Sequence, residues 1–236
     1  MAHTFYFAHS AGVKRVKAPS GSALQAFRAS SVEMRVFNVG PGEAILLSLG
    51  SRTVLFDGGA IVKKSNASLG RALLAYLAAR NLKLGAFVAT PPHVDHLNAL
   101  ATILAGDDPP SLAPDAVYYH NDEALGTWLT ETLWARVTAL ETAGRLSVVP
   151  VTAGVAGLGL PGVEMQHFVN GRYKPTPAYK SIFTIAWYGE SSFLFTGDAY
   201  IDYENALLAG PIAGLLRAHI LKITHHGSQD GTGQPF

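Results

Sequence analysis

The 236-residue sequence contains no cysteine. This absence excludes a disulfide scaffold, and it also excludes any zinc site that uses thiolate ligands. A metal ion in this protein would therefore have to bind through histidine and carboxylate side chains. The sequence also lacks a continuous apolar run of about 18 residues, the length that a membrane-spanning helix needs, so we expect no membrane partner.

An excess of charge of either sign is also missing. The 18 Lys and Arg residues nearly balance the 17 Asp and Glu residues, which leaves a formal net charge of +1. This balance gives no indication of a nucleic-acid footprint over the whole surface, although it is compatible with a local basic groove. Residues 1–12 lack the basic and apolar segments of a signal peptide, so we expect a cytoplasmic protein.

The first 31 residues differ from the rest of the chain. Lys14, Arg15 and Lys17 form a basic cluster, and a stretch of proline, serine and glycine follows at residues 19–22. We predict an N-terminal arm over residues 1–31 and one domain over residues 32–236. The arm is either poorly ordered or a basic extension that contacts a partner or an anionic substrate.

The predicted domain consists of short strands with glycine-rich turns between them, interrupted by a few helices. Strands outnumber helices in each half and pair with their neighbours along the chain. This pattern predicts an α/β fold with two sheets and helices outside them. The predicted strands are residues 34–39, 44–49, 53–56, 86–89, 116–119, 146–149, 163–168, 181–187, 192–195 and 218–223, and the main helices are residues 68–81, 96–104 and 123–143.

Three predicted strands end directly before acidic or imidazole side chains. Loops at strand ends are where sheets present functional groups, so these segments are candidates for one shared site. Imidazole and carboxylate ligands suit Zn²⁺, Mn²⁺ or iron. The segments are residues 92–96, 196–198 and 224–227, and they predict a hydrolytic metal site centred on Asp95, His96, Asp198, His225 and His226.

In order along the chain, these segments resemble the metallo-β-lactamase fold. The closer resemblance is to its branch with the C-terminal domain of ComEC/Rec2 DNA-uptake proteins. It implies an αββα four-layer sandwich with the site at the open edge of the two sheets. It also implies incompleteness at the C-terminus, because relatives continue with another strand and helix. The matching segments are FNVGPGEA at 37–44, LFDGG at 55–59, TPPHVDHL at 90–97, FTGDA at 195–199 and LKITHHGS at 221–228.

The resemblance implies a role for each matching residue. Asp95 would orient a metal-bound water, and His225 would protonate the leaving oxygen. His226 is our choice for the ligand of the histidine pair, although the order of the two could be reversed. The implied metal ligands are His93, Asp95, His96, Asp198 and His226, and they would hold one or two Zn or Mn ions.

Two departures from the family pattern favour one ion over two. Pro91 stands where the first histidine of the main motif belongs, and residues 177–181 contain no histidine where many relatives have one. Both losses fall on the same metal position, which keeps only His93 and the shared Asp198. Lys180 could place an ammonium there instead. His167 is either a replacement ligand or an ordinary strand residue, and His120 is expected at the surface or rim.

Further residues are predicted to support the site. Asp57 and Glu43 could accept the second N–H group of a ligating imidazole, a task that carboxylates perform well. The alternative for Glu43 is a solvated turn residue. Lys180, Lys222 and Ser228 are predicted to bind substrate, the last two as contacts to a phosphate.

These features predict a metal-dependent hydrolase. Its substrate would be a phosphodiester in DNA, RNA or a nucleotide, so that the enzyme is a phosphodiesterase or nuclease using metal-bound hydroxide. One alternative is a small-molecule esterase or lactonase. Another is a catalytically degenerate binding or effector domain of a larger assembly, with a partner protein or further domain covering the C-terminal sheet edge.

Overall fold

The computed structural model describes residues 2–8, 31–60, 66–91, 93–121, 128–151, 154–169 and 181–232. The basic cluster at residues 14–17 and the candidate Lys180 lie outside these ranges. None of the helices in the described ranges combines the length and the apolar character that crossing a membrane requires. The division of the chain into an arm and a domain at residue 31 stays a prediction.

The first sheet has seven strands that follow one another in sequence order, from β1 at one edge to β7 at the other. The first four pair antiparallel, and the last three join them in parallel. The strands are β1 (Ala2–Ala8), β2 (Ser31–Phe37), β3 (Ile45–Leu49), β4 (Arg52–Phe56), β5 (Lys83–Val88), β6 (Leu112–His120) and β7 (Ser147–Pro150).

The second sheet has five strands in the order β12-β11-β10-β9-β8. Its strands pair antiparallel except for the last, because β12 lies parallel to β11. The strands are β8 (Val155–Gly157), β9 (Glu164–Phe168), β10 (Phe183–Tyr188), β11 (Ser191–Phe195) and β12 (Ile220–Leu221).

Five α-helices connect the strands within the described residues. Two are long, and three have eight residues or fewer. The helices are α1 (Asn66–Ala79), α2 (Val94–Leu97), α3 (Leu100–Ile103), α4 (Trp128–Thr142) and α5 (Ile201–Leu208), and two 3-10 turns cover Ala213–Leu215 and Thr224–Gly227.

The hydrophobic core confirms the predicted order of four layers. Between the sheets, Phe56 of the first sheet stacks on Phe195 of the second, with ring centroids 3.9 Å apart. Burial of an aromatic or branched side chain stabilises the fold by about 1.5–3 kcal/mol. The opposite face of the first sheet packs against α1 and α4, for example through Leu73, and the opposite face of the second packs against α5 through Tyr203. The chain is therefore an αββα sandwich.

The structure differs from the sequence prediction at several elements. The helix predicted over residues 96–104 is divided into α2 and α3, because the amide of Ala99 donates to Gly58 while the carbonyl of Asp95 accepts from Glu43. The strand predicted over residues 218–223 contains only Ile220–Leu221. Two strands were not predicted. One is β1, which lies inside the predicted arm and pairs with β2, and the other is β8.

Candidate metal centre

Four candidate metal ligands from both sheets converge at one end of the sandwich. Asp95 and His96 lie on α2, directly after β5 of the first sheet. Asp198 follows β11, and His226 lies in the turn after β12 of the second sheet. One ligand atom from each of these four residues lies within 4.8 Å of every other. The strand ends singled out in the sequence therefore meet at one point.

The spacing of these atoms fits a divalent ion. Ligand atoms arranged tetrahedrally about 2.1 Å from a zinc ion lie about 3.4 Å from one another. Nε2 of His226 is 3.4 Å from Oδ2 of Asp95 and 3.6 Å from Oδ1 of Asp198. The same Oδ1 is buried and accepts no hydrogen bond from the described residues. A buried carboxylate oxygen without a donor is a suitable ligand for a cation.

The imidazole of His96 lies between two carboxylates. Its Nδ1 is 2.7 Å from Asp57 and its Nε2 is 2.8 Å from Asp198. Burial lowers the pKa of His96, but the charge of Asp57 and the hydrogen bonds to both carboxylates outweigh it and raise this pKa well above 6.5. A cation that binds Nε2 must therefore displace a proton, so metal affinity should fall with falling pH.

The two acidic candidate ligands are held in their ionised form. Burial raises the pKa of Asp198, but the hydrogen bond and charge of His96 more than compensate, so that this pKa is lowered. Burial likewise opposes ionisation of Asp95, yet the contacts with His226 and His96 lower its pKa. Both carboxylates are thus available as anionic ligands at neutral pH.

The carboxylate of Asp57 contacts the imidazole of His96 and the residue Thr90. Its Oδ1 accepts from the amide of Thr90 at 2.8 Å, and its Oδ2 accepts from the Thr90 hydroxyl and from Nδ1 of His96. Asp57 has a φ of 57°, a left-handed conformation that aspartate tolerates better than most residues. Since Nδ1 donates to Asp57, Nε2 is directed towards Asp198.

Glycines allow the turns below the site to approach the segment that carries Asp95 and His96. A Cβ atom on Gly59 would overlap the backbone of Asp95, so only glycine fits there. Gly42 has a φ of 144°, and a Cβ atom on it would lie 2.5 Å from the carbonyl of Gly59. The amide of Gly58 donates to the carbonyl of His96 at 2.6 Å. These contacts fix the backbone from which Asp95 and His96 project.

Glu43 and Lys222 are placed differently from the roles expected of them. Glu43 is only 4% exposed, so it is not a solvated turn residue. It forms an ion pair with the ammonium of Lys222 rather than accepting from a ligating imidazole. Lys222 also donates to the carbonyl of Gly197 at 2.8 Å. Because its ammonium has internal partners, Lys222 is not positioned to contact a phosphate.

The two histidines at 225 and 226 point to different partners. Both have left-handed backbone conformations, with φ of 46° and 53°, which are uncommon for residues other than glycine. His226 faces Asp95 and Asp198, whereas Nδ1 of His225 lies 3.0 Å from Asp230. Ser228 is exposed on the same loop, and its amide donates to the carbonyl of His225.

Alanine substitution should separate the two histidines. We expect His226→Ala to weaken Zn²⁺ binding by roughly tenfold or more, because it removes one of the four clustered candidate ligands. His225→Ala should leave the affinity close to that of the wild type, since its ring lies outside the ligand cluster. Isothermal titration calorimetry with Zn²⁺ measures the affinity of both variants. The reverse order of the two affinities would exchange the roles of the histidines.

His93 and Pro91 lie outside the group of four clustered residues. His93 is half-buried immediately before α2 and is not among the grouped ligand atoms of the described residues. Pro91 is buried, and its carbonyl accepts from the amide of His93 at 2.8 Å. The role of His93 as a ligand stays a prediction, as does that of Lys180.

His167 is a core residue rather than part of the cluster. Its Nδ1 is 2.8 Å from the Thr184 hydroxyl, and its ring packs 4.2 Å from that of Tyr119. Nε2 is buried without a hydrogen-bond partner among the described residues. Burial lowers the pKa of His167 to about 3. His120 is half-buried at the end of β6, with its ring 4.9 Å from that of Trp134.

The low pKa of His167 should make stability depend on pH. The unfolded chain binds a proton at this residue below its ordinary pKa of 6.5, but the folded protein does so only below about 3. Stability is therefore lost as pH falls through this interval. From pH 7 to pH 5, the wild type should lose about 2 kcal/mol more unfolding free energy than His167→Gln. Urea unfolding at both pH values tests this, and equal losses would contradict it.

Comparison with known proteins finds no matching family model and no matching curated protein. Three solved structures of related shape each share 13% sequence identity with the chain. The metallo-β-lactamase fold protein YhfI from Bacillus subtilis aligns over 70% of this chain and 57% of its own, with a TM-score of 0.47. The short form of human tRNase Z aligns over 69% and 64%, with a TM-score of 0.40.

A third related structure is zinc-bound PqqB from Methylobacterium extorquens. It aligns over 88% of this chain and 69% of its own, with a TM-score of 0.43. The chain thus spans less than two thirds of the length of YhfI and of tRNase Z. Because all three TM-scores lie below 0.5, these likenesses assign neither a family nor an activity to the chain, and the DNA-uptake branch stays a prediction.

Proposed function

We propose that this protein is a metal-dependent hydrolase whose divalent ion, Zn²⁺ or Mn²⁺, is held by Asp95, His96, Asp198 and His226. The observation that carries the proposal is the convergence of two imidazoles and two carboxylates within 4.8 Å of one another. The buried Oδ1 of Asp198, which has no hydrogen-bond donor among the described residues, supports it. One well-held ion is favoured over two.

The residues around the ligands have separate tasks in the proposed reaction. A divalent cation bound here would lower the pKa of a coordinated water to about 7 and so supply hydroxide at neutral pH. Asp95 has a side chain that is 18% exposed and a lowered pKa, so its carboxylate is available to orient that water. Asp57 keeps His96 in one orientation. His225, whose Nδ1 lies 3.0 Å from Asp230, is the candidate donor of a proton to the leaving oxygen.

A phosphodiester in a nucleic acid or nucleotide is the proposed substrate. The motif resemblance to the DNA-uptake branch supports it, and so does Ser228, which is exposed two residues after His226. A small ester or lactone is the second candidate, favoured by one observation. The ammonium of Lys222 points inward to Glu43, which removes one of the cations expected to contact a phosphate.

A substrate panel distinguishes these candidates. The protein, loaded with Zn²⁺ or Mn²⁺, would be assayed on bis(4-nitrophenyl) phosphate, single-stranded DNA, RNA, 4-nitrophenyl acetate and a lactone. We expect phosphodiester cleavage that EDTA abolishes and that Asp198→Asn lacks. Cleavage of the ester or lactone alone would replace the phosphodiester proposal with the second candidate. A metal-loaded protein that cleaves none of them would refute the hydrolase proposal and favour a binding domain.

A further inference from the structure

The buried ion pair between Glu43 and Lys222 joins the two sheets below the metal centre. Glu43 lies in the turn between β2 and β3 of the first sheet, and Lys222 directly follows β12 of the second. Their side chains are 4% and 14% exposed, so the contact is shielded from solvent. An ion pair in such surroundings is much more sensitive to the loss of one partner than a surface pair is.

On the first sheet, Glu43 is tied to the segment that carries Asp95 and His96. Its amide donates to the carbonyl of Asp95 at 3.2 Å, and its carbonyl accepts from the amide of Gly59 at 2.9 Å. A carboxylate oxygen of Glu43 also lies within 4.8 Å of ligand atoms of Asp57 and His96. A displacement of Glu43 would therefore be transmitted to the first pair of ligands.

On the second sheet, Lys222 is tied to the segments that carry Asp198 and His226. Its ammonium donates to the carbonyl of Gly197 at 2.8 Å, and the same carbonyl accepts from the amide of His225 at 3.0 Å. The backbone carbonyl of Lys222 accepts from the hydroxyl of Thr196 at 2.7 Å. Lys222 thus contacts both turns from which the second pair of ligands projects.

We propose that Glu43 and Lys222 are positioning residues for the metal centre. Their ion pair sets the separation between Asp95 and His96 on one sheet and Asp198 and His226 on the other, so that the four ligands are arranged before the ion arrives. Neither side chain belongs to the group of four clustered ligands. This inference rests on the proposed metal binding and adds to it a reason why Lys222 faces inward.

Positioning of the ligands by the ion pair predicts different metal affinities from a purely electrostatic effect of its two charges on the ion. If the two charges acted only through space, removing the ammonium would tighten cation binding and removing the carboxylate would weaken it. If the pair positions the ligands, Glu43→Gln and Lys222→Met should both weaken binding. The two substitutions should also be non-additive, because either one breaks the same contact.

The test uses Co²⁺, whose visible absorption reports the geometry of its ligands. We expect Glu43→Gln and Lys222→Met each to weaken Co²⁺ binding and to change the absorption band. The expected loss of affinity is about tenfold, which is the lower end of the range for removing a group that orients metal ligands. The double variant Glu43→Leu/Lys222→Met replaces the ion pair with an apolar contact that can preserve stability. Circular dichroism should show that this double variant is folded. It should nevertheless bind Co²⁺ about tenfold more weakly than the wild type does.

Glu33→Gln is the matched control. Glu33 is also a buried carboxylate in an ion pair, 3.2 Å from Arg80, but it lies against α1 on the other face of the first sheet. This variant should lose stability and keep the wild-type Co²⁺ affinity and spectrum.

Two outcomes would overturn the inference while leaving the proposed function intact. One is wild-type affinity and spectrum in the folded Glu43 and Lys222 variants, which would make the pair merely structural. The other is tighter Co²⁺ binding by Lys222→Met than by the wild type. That result would show that the pair acts on the ion only through its charges and not by positioning the ligands. Failure of the wild-type protein to bind Co²⁺, Zn²⁺ or Mn²⁺ would instead refute the proposed function itself.

Discussion

Asp198→Asn is expected to weaken Zn²⁺ binding by about 1,000-fold, or about 4 kcal/mol. Asp198 contacts both imidazoles of the cluster, with Oδ2 2.8 Å from His96 and Oδ1 3.6 Å from His226. The substitution preserves the shape of the side chain but removes its charge. It also directs an amide nitrogen or a neutral oxygen at the site, and neither replaces a buried carboxylate as a ligand.

Asp202→Asn is the control for this prediction. Asp202 is an exposed carboxylate on α5, four residues further along the chain, and it lies outside the ligand cluster of the described residues. Zn²⁺ titration of both variants should show the loss only for Asp198→Asn. Affinities of the two variants within a few-fold of each other would remove Asp198 from the ligand set.

Asp57→Asn is expected to have the second-largest effect, on both metal affinity and stability. Its carboxylate accepts from the amide and hydroxyl of Thr90 and from Nδ1 of His96, and it is 1% exposed. The NH2 group of asparagine is itself a hydrogen-bond donor. It would face one of these three donors, which would then lose its acceptor. Loss of the orienting group should weaken Zn²⁺ binding by about 100-fold. Loss of a buried charged partner should lower the unfolding free energy of the metal-free protein by about 3 kcal/mol.

The backbone at residue 57 makes this substitution a clean test. Asparagine adopts the left-handed conformation, with φ of 57° here, about as readily as aspartate, so no new strain arises. Zn²⁺ titration and urea unfolding of Asp57→Asn measure the two effects separately. Wild-type Zn²⁺ affinity in a folded variant would show that His96 is oriented without Asp57.

The sequence pattern predicted two sheets with helices outside them, the motif resemblance implied their αββα order, and four of the five candidate ligands meet as expected. Glycine turns and short apolar strands gave the element order, because both follow from local backbone preferences. The clustering of Asp95, His96, Asp198 and His226 followed from their positions at strand ends. The strand β8, by contrast, has only three residues and ends in Gly157, so it is too short for a periodic pattern.

Other features depend on contacts that the sequence does not contain. Lys222 lies beside the histidine pair in the chain, which favours a substrate contact, but its direction is decided by Glu43 from the other sheet. The choice of His226 over His225 came from the motif resemblance, and two consecutive left-handed residues are what turn His226 towards the cluster. Strand-end motifs carry no signal for the direction of Lys222. Asp230, whose carboxylate lies 3.0 Å from Nδ1 of His225, was missed because nothing in the sequence indicates this contact.

The most direct test of the metal centre is the metal content of protein purified without added metal and then exposed to Zn²⁺ or Mn²⁺. Mass spectrometry of the wild type and of Asp95→Ala under identical conditions gives the stoichiometry. The arrangement of the four clustered ligands predicts about one equivalent of metal in the wild type and its loss in the variant. A wild-type protein that retains no metal after exposure to either ion would contradict the account.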